Sequence, residues 1–195
     1  MIVLTTRRPE IVSRIKTPGS YTLTTLLPLF KKHLKWEASD TSEDDLMGLY
    51  LTSAIKQAET YTRRAIDVAT WETFLDSFYD FDFDVAPVSA ITSVKYYNDA
   101  NVLTTLDPLN YTFINKGPDA YARLEFESGL PALYDRHEPV VIEYTAGYVT
   151  YPNDLVGPIL QYAADLFENR TNDVAGGLDQ VTFGFHQRLF SYKML

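Results

Sequence analysis

The sequence predicts an α+β fold. It reads mainly as a helical bundle, with helices near 22–34, 42–66 and 153–170 and a short C-terminal helix, carrying a small antiparallel β-sheet subdomain near 70–145. Three observations predict this. Apolar residues recur at helical spacing in 42–66 and again in 153–170. Between 70 and 145 the period changes to two, in short runs separated by turn-forming residues. Helices at the ends with strands between them is the order of an α+β domain rather than of a parallel sheet.

The elements follow in order. Residues 1–20 carry Pro9, Pro18 and Gly19 and no periodicity, which predicts an extended N-terminal arm with at most a short strand. A first helix is expected from about Thr22 to Leu34, bent or interrupted at Pro28. The second helix is introduced by Thr41 and Ser42, each followed three residues later by an aspartate in the manner of a capping box. Acids fill its first turn and Arg63 and Arg64 its last, as the helix dipole prefers. Leu46, Tyr50, Ala54, Ala58, Tyr61 and Ala65 make its apolar stripe, with alanines permitting close approach of a partner helix from the same chain or another.

In the strand region, "YARLEFE" places Ala122, Leu124 and Phe126 on one face and Tyr121, Arg123, Glu125 and Glu127 on the other. "PVVIEY" likewise puts Val140, Ile142 and Tyr144 together, and "ITSVKYY" ends at the turn signal "NDAN". The third helix is expected to be capped by Asn153 or Asp154, with a stripe of Leu155, Ile159, Tyr162, Ala163, Leu166 and Phe167. Glycine-bearing "TNDVAGGLDQ" reads as a linker, and the aromatic, cationic tail beyond it as a docking segment rather than core. The division is therefore an arm (1–20), a main domain (21–170) and a linker with tail (171–195).

Composition narrows the function. The net charge of −9 argues against wrapping nucleic acid by phosphate neutralisation. No run reaches the roughly 18 apolar residues of a membrane span, and no signal-peptide stretch opens the chain, so a cytoplasmic location is expected. With no cysteine there is no disulfide, thiolate metal site or cysteine nucleophile. Charge is also segregated. From Arg64 to Lys95 there is no intervening Lys or Arg but six acids (Asp67, Glu72, Asp76, Asp80, Asp82, Asp84), while Arg7, Arg8, Arg14, Lys16, Lys31, Lys32 and Lys35 face only Glu10 in the N-terminal stretch. Opposite charge on two parts of one chain suits contacts between copies, and equally suits two solvated faces.

The segment "YDFDFDV" (residues 79–85) is the strongest lead to chemistry. Asp80, Asp82 and Asp84 fill the first acidic slots of a calcium loop, but the sixth position holds Val85 instead of glycine and the twelfth Ile91 instead of an acid. A strand with aromatics on one face and carboxylates on the other fits better. His33, His137 and His186 are scattered, with no zinc spacing, and no nucleophile elbow or phosphate-cradling loop is present. The 14 tyrosines and 11 phenylalanines alternate within strand-like runs, which suits core and interface.

The ordered set "LLPLFKKHLKW", "SEDD", "LMGLYLTSAIKQAETYTRRAI", "WETFLDSF", "APVSAITSVKYYNDAN", "YTF", "ARLEF" and "VVIEYTAGYVTYPNDLVGPILQYAADLFENR" resembles the head–tail connector (adaptor, or head-completion) proteins of tailed bacteriophages. The resemblance covers about 21–170. It implies a non-enzymatic virion protein without cofactors, made in the host cytoplasm. Copies would form a homo-oligomeric ring, commonly twelve-fold, beneath the portal, offering a platform for the stopper or tail-completion protein. DNA would pass through the channel without specific binding, and no membrane is involved. On this reading Asp80, Asp82 and Asp84 form an acidic face lining the channel or meeting a neighbour. Arg7, Arg8, Arg14 and Lys16 form a basic inter-subunit arm. Phe183, Phe185, Arg188, Leu189, Phe190 and Tyr192 dock the tail on the portal. The alternatives from other classes are a carboxylate-based hydrolase or divalent-metal-binding enzyme using the aspartate run, and a monomeric binding module.

Overall fold

The computed structural model describes residues 13–18, 21–117, 121–169 and 178–194, without the side chains of 21–24 and 178–183. Among them are eight strands and four α-helices: β1 (Ser13–Thr17), α1 (Tyr21–His33), α2 (Asp44–Thr62), β2 (Ala69–Leu75), β3 (Phe81–Asp82), β4 (Val88–Tyr97), β5 (Leu103–Thr105), β6 (Tyr111–Ile114), β7 (Arg123–Phe126), β8 (Val140–Ala146), α3 (Asn153–Glu168) and α4 (Leu178–Leu189). The α+β class holds, but the strands are too many for a mainly helical bundle. They form a five-stranded antiparallel sheet ordered β1-β2-β8-β4-β5 and a three-stranded one ordered β3-β7-β6.

Each half buries its own core. In the helical half, Leu26, Phe30, Met47, Leu51, Ile159, Ala163 and Phe167 pack together, with Phe30, Trp36 and Tyr50 meeting the Phe167 ring edge-on at about 6 Å. In the sheet half, the alternation expected of β8 is realised: Val140, Ile142 and Tyr144 are fully buried. So are Ala122 and Leu124 on the inward face beside and within β7.

The boundaries of α2 differ from expectation. Neither Thr41 nor Ser42 caps it. Ser42 donates its N–H to Asp40 Oδ1 (2.9 Å), and the residue before the helix, Glu43, makes no side-chain cap bond. Instead Lys31, itself buried, ties α1 to the first turn of α2 through Asp44 (2.6 Å) and donates to the Asp40 carbonyl (2.8 Å). The helix stops at Thr62 because Arg63 turns left-handed (φ 57°), closing the end with its N–H on the Glu59 carbonyl (2.8 Å). Arg63 and Arg64 therefore lie outside the last turn. The buried face is Met47, Leu51, Ala54, Ile55, Ala58 and Thr62, rotated from the expected stripe. The rotation arises because α1, α3 and α4 all pack on α2 and centre its covered arc on Ala54 and Ala58. Leu46, Tyr50 and Tyr61 pack at the rim, and Ala65 joins the sheet core. The cap expected at Asn153 or Asp154 is likewise absent: Pro152 precedes α3, and Asp154 accepts from the Tyr192 hydroxyl (2.5 Å).

The two halves meet at the run Ala146-Gly147-Tyr148. Gly147 has φ +125°, and a Cβ there would lie 2.1 Å from the Asp67 carbonyl oxygen, so only glycine fits. Its N–H donates to the Pro87 carbonyl (2.9 Å) and that of Tyr148 to the Ile66 carbonyl (3.1 Å), locking the end of β8 to the segment leaving α2. Asp67 Oδ1 in turn accepts from the Tyr151 hydroxyl (2.6 Å).

Candidate assembly surface

The segment 79–85 contributes only two residues, Phe81 and Asp82, to a strand ladder, yet it is two-faced, with Tyr79 and Asp82 half-buried. Phe81, Phe83 and Val85 are buried, while Asp80 and Asp84 are exposed. Phe83 lies between the two sheets, 4.6 Å from the Tyr144 ring of β8, 4.8 Å from Phe81 and 6.3 Å from Phe113 of β6. The aromatic face thus pins one sheet to the other. Burial lifts the Tyr144 phenol well above its ordinary value of 10.0.

Asp80 and Asp82 share Arg123, while Asp84 turns to β1. Asp80 accepts the Phe126 N–H (2.9 Å) and lies 3.8 Å from Arg123. Asp82 pairs with Arg123 (3.5 Å), its register partner on β7, and with Lys116 (3.3 Å). Asp84 accepts from both the backbone N–H (3.1 Å) and the hydroxyl of Ser13 on β1. Glu125 holds Arg123 from the other side (2.7 Å) and is the main cause of its guanidinium lying above its ordinary pKa, with Asp82 and Asp80 adding to it. Cations of the chain itself thus offset Asp80 and Asp82, and the Ser13 N–H and hydroxyl hold Asp84. Among the described residues no group of three or more His, Asp or Glu converges on a metal position.

Arg14 and Lys16 of the arm lie on β1. Arg14 pairs with Glu72 (3.5 Å) and sits 4.2 Å over the Phe74 ring. Lys16 reaches both Glu72 (3.0 Å) and Glu143 (2.6 Å). Those two glutamates are direct cross-strand neighbours on β2 and β8, with Lys95 4.0 Å from Glu143. The Glu143 hydrogen bond is the main cause that raises the Lys16 ammonium above its ordinary pKa, with Glu72 second. Arg7 and Arg8 lie outside the described residues.

The tail departs most from expectation. Phe185 and Leu189 of α4 are buried in the helical core, and Met194 is buried beyond it. Phe185 stacks on Tyr162 of α3 at 4.4 Å, and His186 stacks on Tyr61 of α2 at 4.2 Å. Their apolar surface is covered by their own chain, so they cannot serve as an exposed docking surface. Phe190 is 67% exposed, and Arg188, also exposed, bonds Gln161. Phe183 belongs to α4 and its side chain is outside the described set.

Arg64, which the sequence offers only as a helix-end cation, organises this region. It is buried and donates from Nε to the Tyr192 carbonyl (2.6 Å) and from Nη1 to the Tyr148 hydroxyl (2.9 Å). The Met194 N–H donates to the Thr62 carbonyl (3.0 Å). One guanidinium thereby joins the end of α2, the end of β8 and the C-terminal segment. No sequence pattern marks such a residue, since its partners lie 84 and 128 positions away.

No protein-family model matches the chain, and no curated protein does. Solved structures do. A chain from the neck of an empty GTA particle, computed with C6 symmetry, superposes with a TM-score of 0.74 at 20% identity, covering 94% of this chain and 96% of that one. A chain of the virion of a native gene transfer agent (GTA) particle gives 0.73 at 21% identity, with the same coverage. A third, from the neck of a native GTA particle computed with C12 symmetry, gives 0.70 at 20% identity over 93% and 96%. Over 93–94% of its length the chain shares the fold of these GTA particle proteins.

Proposed function

We propose that this chain is a structural neck protein of a tailed-phage-like particle: a non-enzymatic adaptor that forms a homo-oligomeric ring between the portal and the stopper or tail protein. The observation that carries this reading is the likeness, over nearly the whole of both chains, to proteins from necks computed with C6 and C12 symmetry. Twelve copies are the expected ring, with 21–170 forming its wall. A closed ring needs one surface of each copy to meet a different surface of the next. The protein is made in the host cytoplasm and ends in the virion.

In such a ring the half-exposed Asp80 and Asp82 face the channel or a neighbour. An acidic lumen repels phosphate and lets DNA pass without being held. Portal docking by the tail falls to Phe190 and Arg188, the exposed members of that set. Sedimentation of the chain alone and with its portal protein tests the reading. Co-sedimentation as a stoichiometric cyclic complex is expected; a chain that stays monomeric and apart from the portal at saturating concentration contradicts it.

A further inference from the structure

We propose that β1 is an exchangeable arm: on assembly, Ser13–Thr17 of one copy leaves its own sheet and fills the same edge position on β2 of the next. The inference rests on the ring reading above and names the contact that links its subunits.

Three observations carry it. First, β1 is held without apolar burial. Its residues after Ser13 are all exposed, Ile15 at 39%, and its attachments are the backbone ladder to β2, the ion pairs of Arg14 and Lys16, the Arg14 guanidinium over the Phe74 ring, and the Ser13 bonds to Asp84 and Thr73. Exposed ion pairs hold a strand weakly, and every one of these contacts is recovered when an identical strand docks on an identical edge. Second, the edge is incomplete without a strand. Glu72 and Glu143 stand directly opposite each other on β2 and β8, a destabilising like-charge pair that Lys16 bridges. Removal of β1 also leaves an unpaired strand edge. The sheet therefore needs an arm, its own or another's. Third, the register slips between Ile15 and Thr17, so pairing with β2 already falters at the end nearest α1.

Only residues 18–20 separate β1 from α1. Fully extended, they let the strand end stand at most about 13 Å from the start of α1. Exchange is therefore confined to adjacent copies, and a one-way donation around the axis closes as a ring.

The chain has no cysteine, which makes cross-linking clean. Two double variants place cysteines on register partners: Ser13→Cys with Thr73→Cys, and Arg14→Cys with Glu72→Cys. Adjacent pairs alternate between the close and the wide spacing of an antiparallel ladder, so one of the two suits a disulfide even where the other strains the fold. Each full-length variant is oxidised as monomer and as oligomer, the two separated by sedimentation, alone and with portal, and run unreduced on a denaturing gel. The expected result is intrachain linkage in the monomer and a ladder of interchain species in the oligomer, the interchain share rising from none to nearly all. Oligomers whose linkages stay within chains overturn the exchange and leave the ring reading standing. A chain that forms no oligomer under either condition removes both.

Discussion

Replacing Leu189 by alanine tests whether the C-terminal segment is core or docking surface. The side chain is fully buried against the helical half, whereas its neighbour Phe190 is 67% exposed. Truncating a buried leucine removes its transfer energy and leaves a cavity, costing about 2–5 kcal/mol. Against a total stability of roughly 5–15 kcal/mol this is a large fraction. With a urea slope of about 2–3 kcal/mol/M for a chain of this size, the unfolding midpoint falls by about 1–2 M. Phe190→Ala is a surface change and stays within about 0.5 kcal/mol. Urea unfolding followed by far-UV circular dichroism measures both. Equal midpoints for wild type and Leu189→Ala would refute the packing argument, and so would a Phe190→Ala variant as unstable as Leu189→Ala. The same reasoning predicts that a chain cut after Asp179, stripped of Phe185, Leu189 and Met194, is markedly destabilised rather than merely unable to dock.

Other outcomes follow from the junction between the halves. Gly147→Ala forces a Cβ against the Asp67 carbonyl at a positive φ and costs more than about 2 kcal/mol, read as a lowered Tm or loss of soluble protein. Arg64→Met removes the hydrogen bonds to the Tyr148 hydroxyl and the Tyr192 carbonyl, at a cost of about 1–3 kcal/mol. Hydrogen exchange should show the Met194 amide losing protection first. Stability should also fall in alkali. Tyr144 keeps its proton in the fold above its ordinary value of 10.0, and Lys16 keeps its charge above 10.5, so both contributions are full below those values and are lost as pH rises beyond them. Thermal unfolding at pH 8, 10 and 11 should show the decline beginning only after the second; a flat profile contradicts it.

Local patterning made much of the fold legible. The alternation in "YARLEFE" and "PVVIEY" reports which side of each strand is covered, and that is decided within a few residues. The same holds for "YDFDFDV", whose phenylalanines are buried although its ladder is two residues long. Pairing partners are not local. Nothing in sequence reveals that Arg123 stands opposite Asp82, that Glu72 faces Glu143, or that Lys16 bridges the last pair, because register joins segments tens of residues apart. The segregation of charge between the N-terminal stretch and the strand region was visible. Within one chain it is answered by Arg14 and Lys16 on Glu72 and Glu143. The tail misled because a glycine-bearing linker before an apolar segment looks alike whether that segment docks on its own chain or on another. The α2 stripe was misplaced because three helices, rather than one, cover it.

The central claim is that this chain closes into a neck ring on a portal. Electron microscopy of the purified chain mixed with its portal protein tests it most directly. Class averages should show an added axial layer with twelve-fold symmetry and an open channel. Portal particles identical with and without the chain would contradict the account.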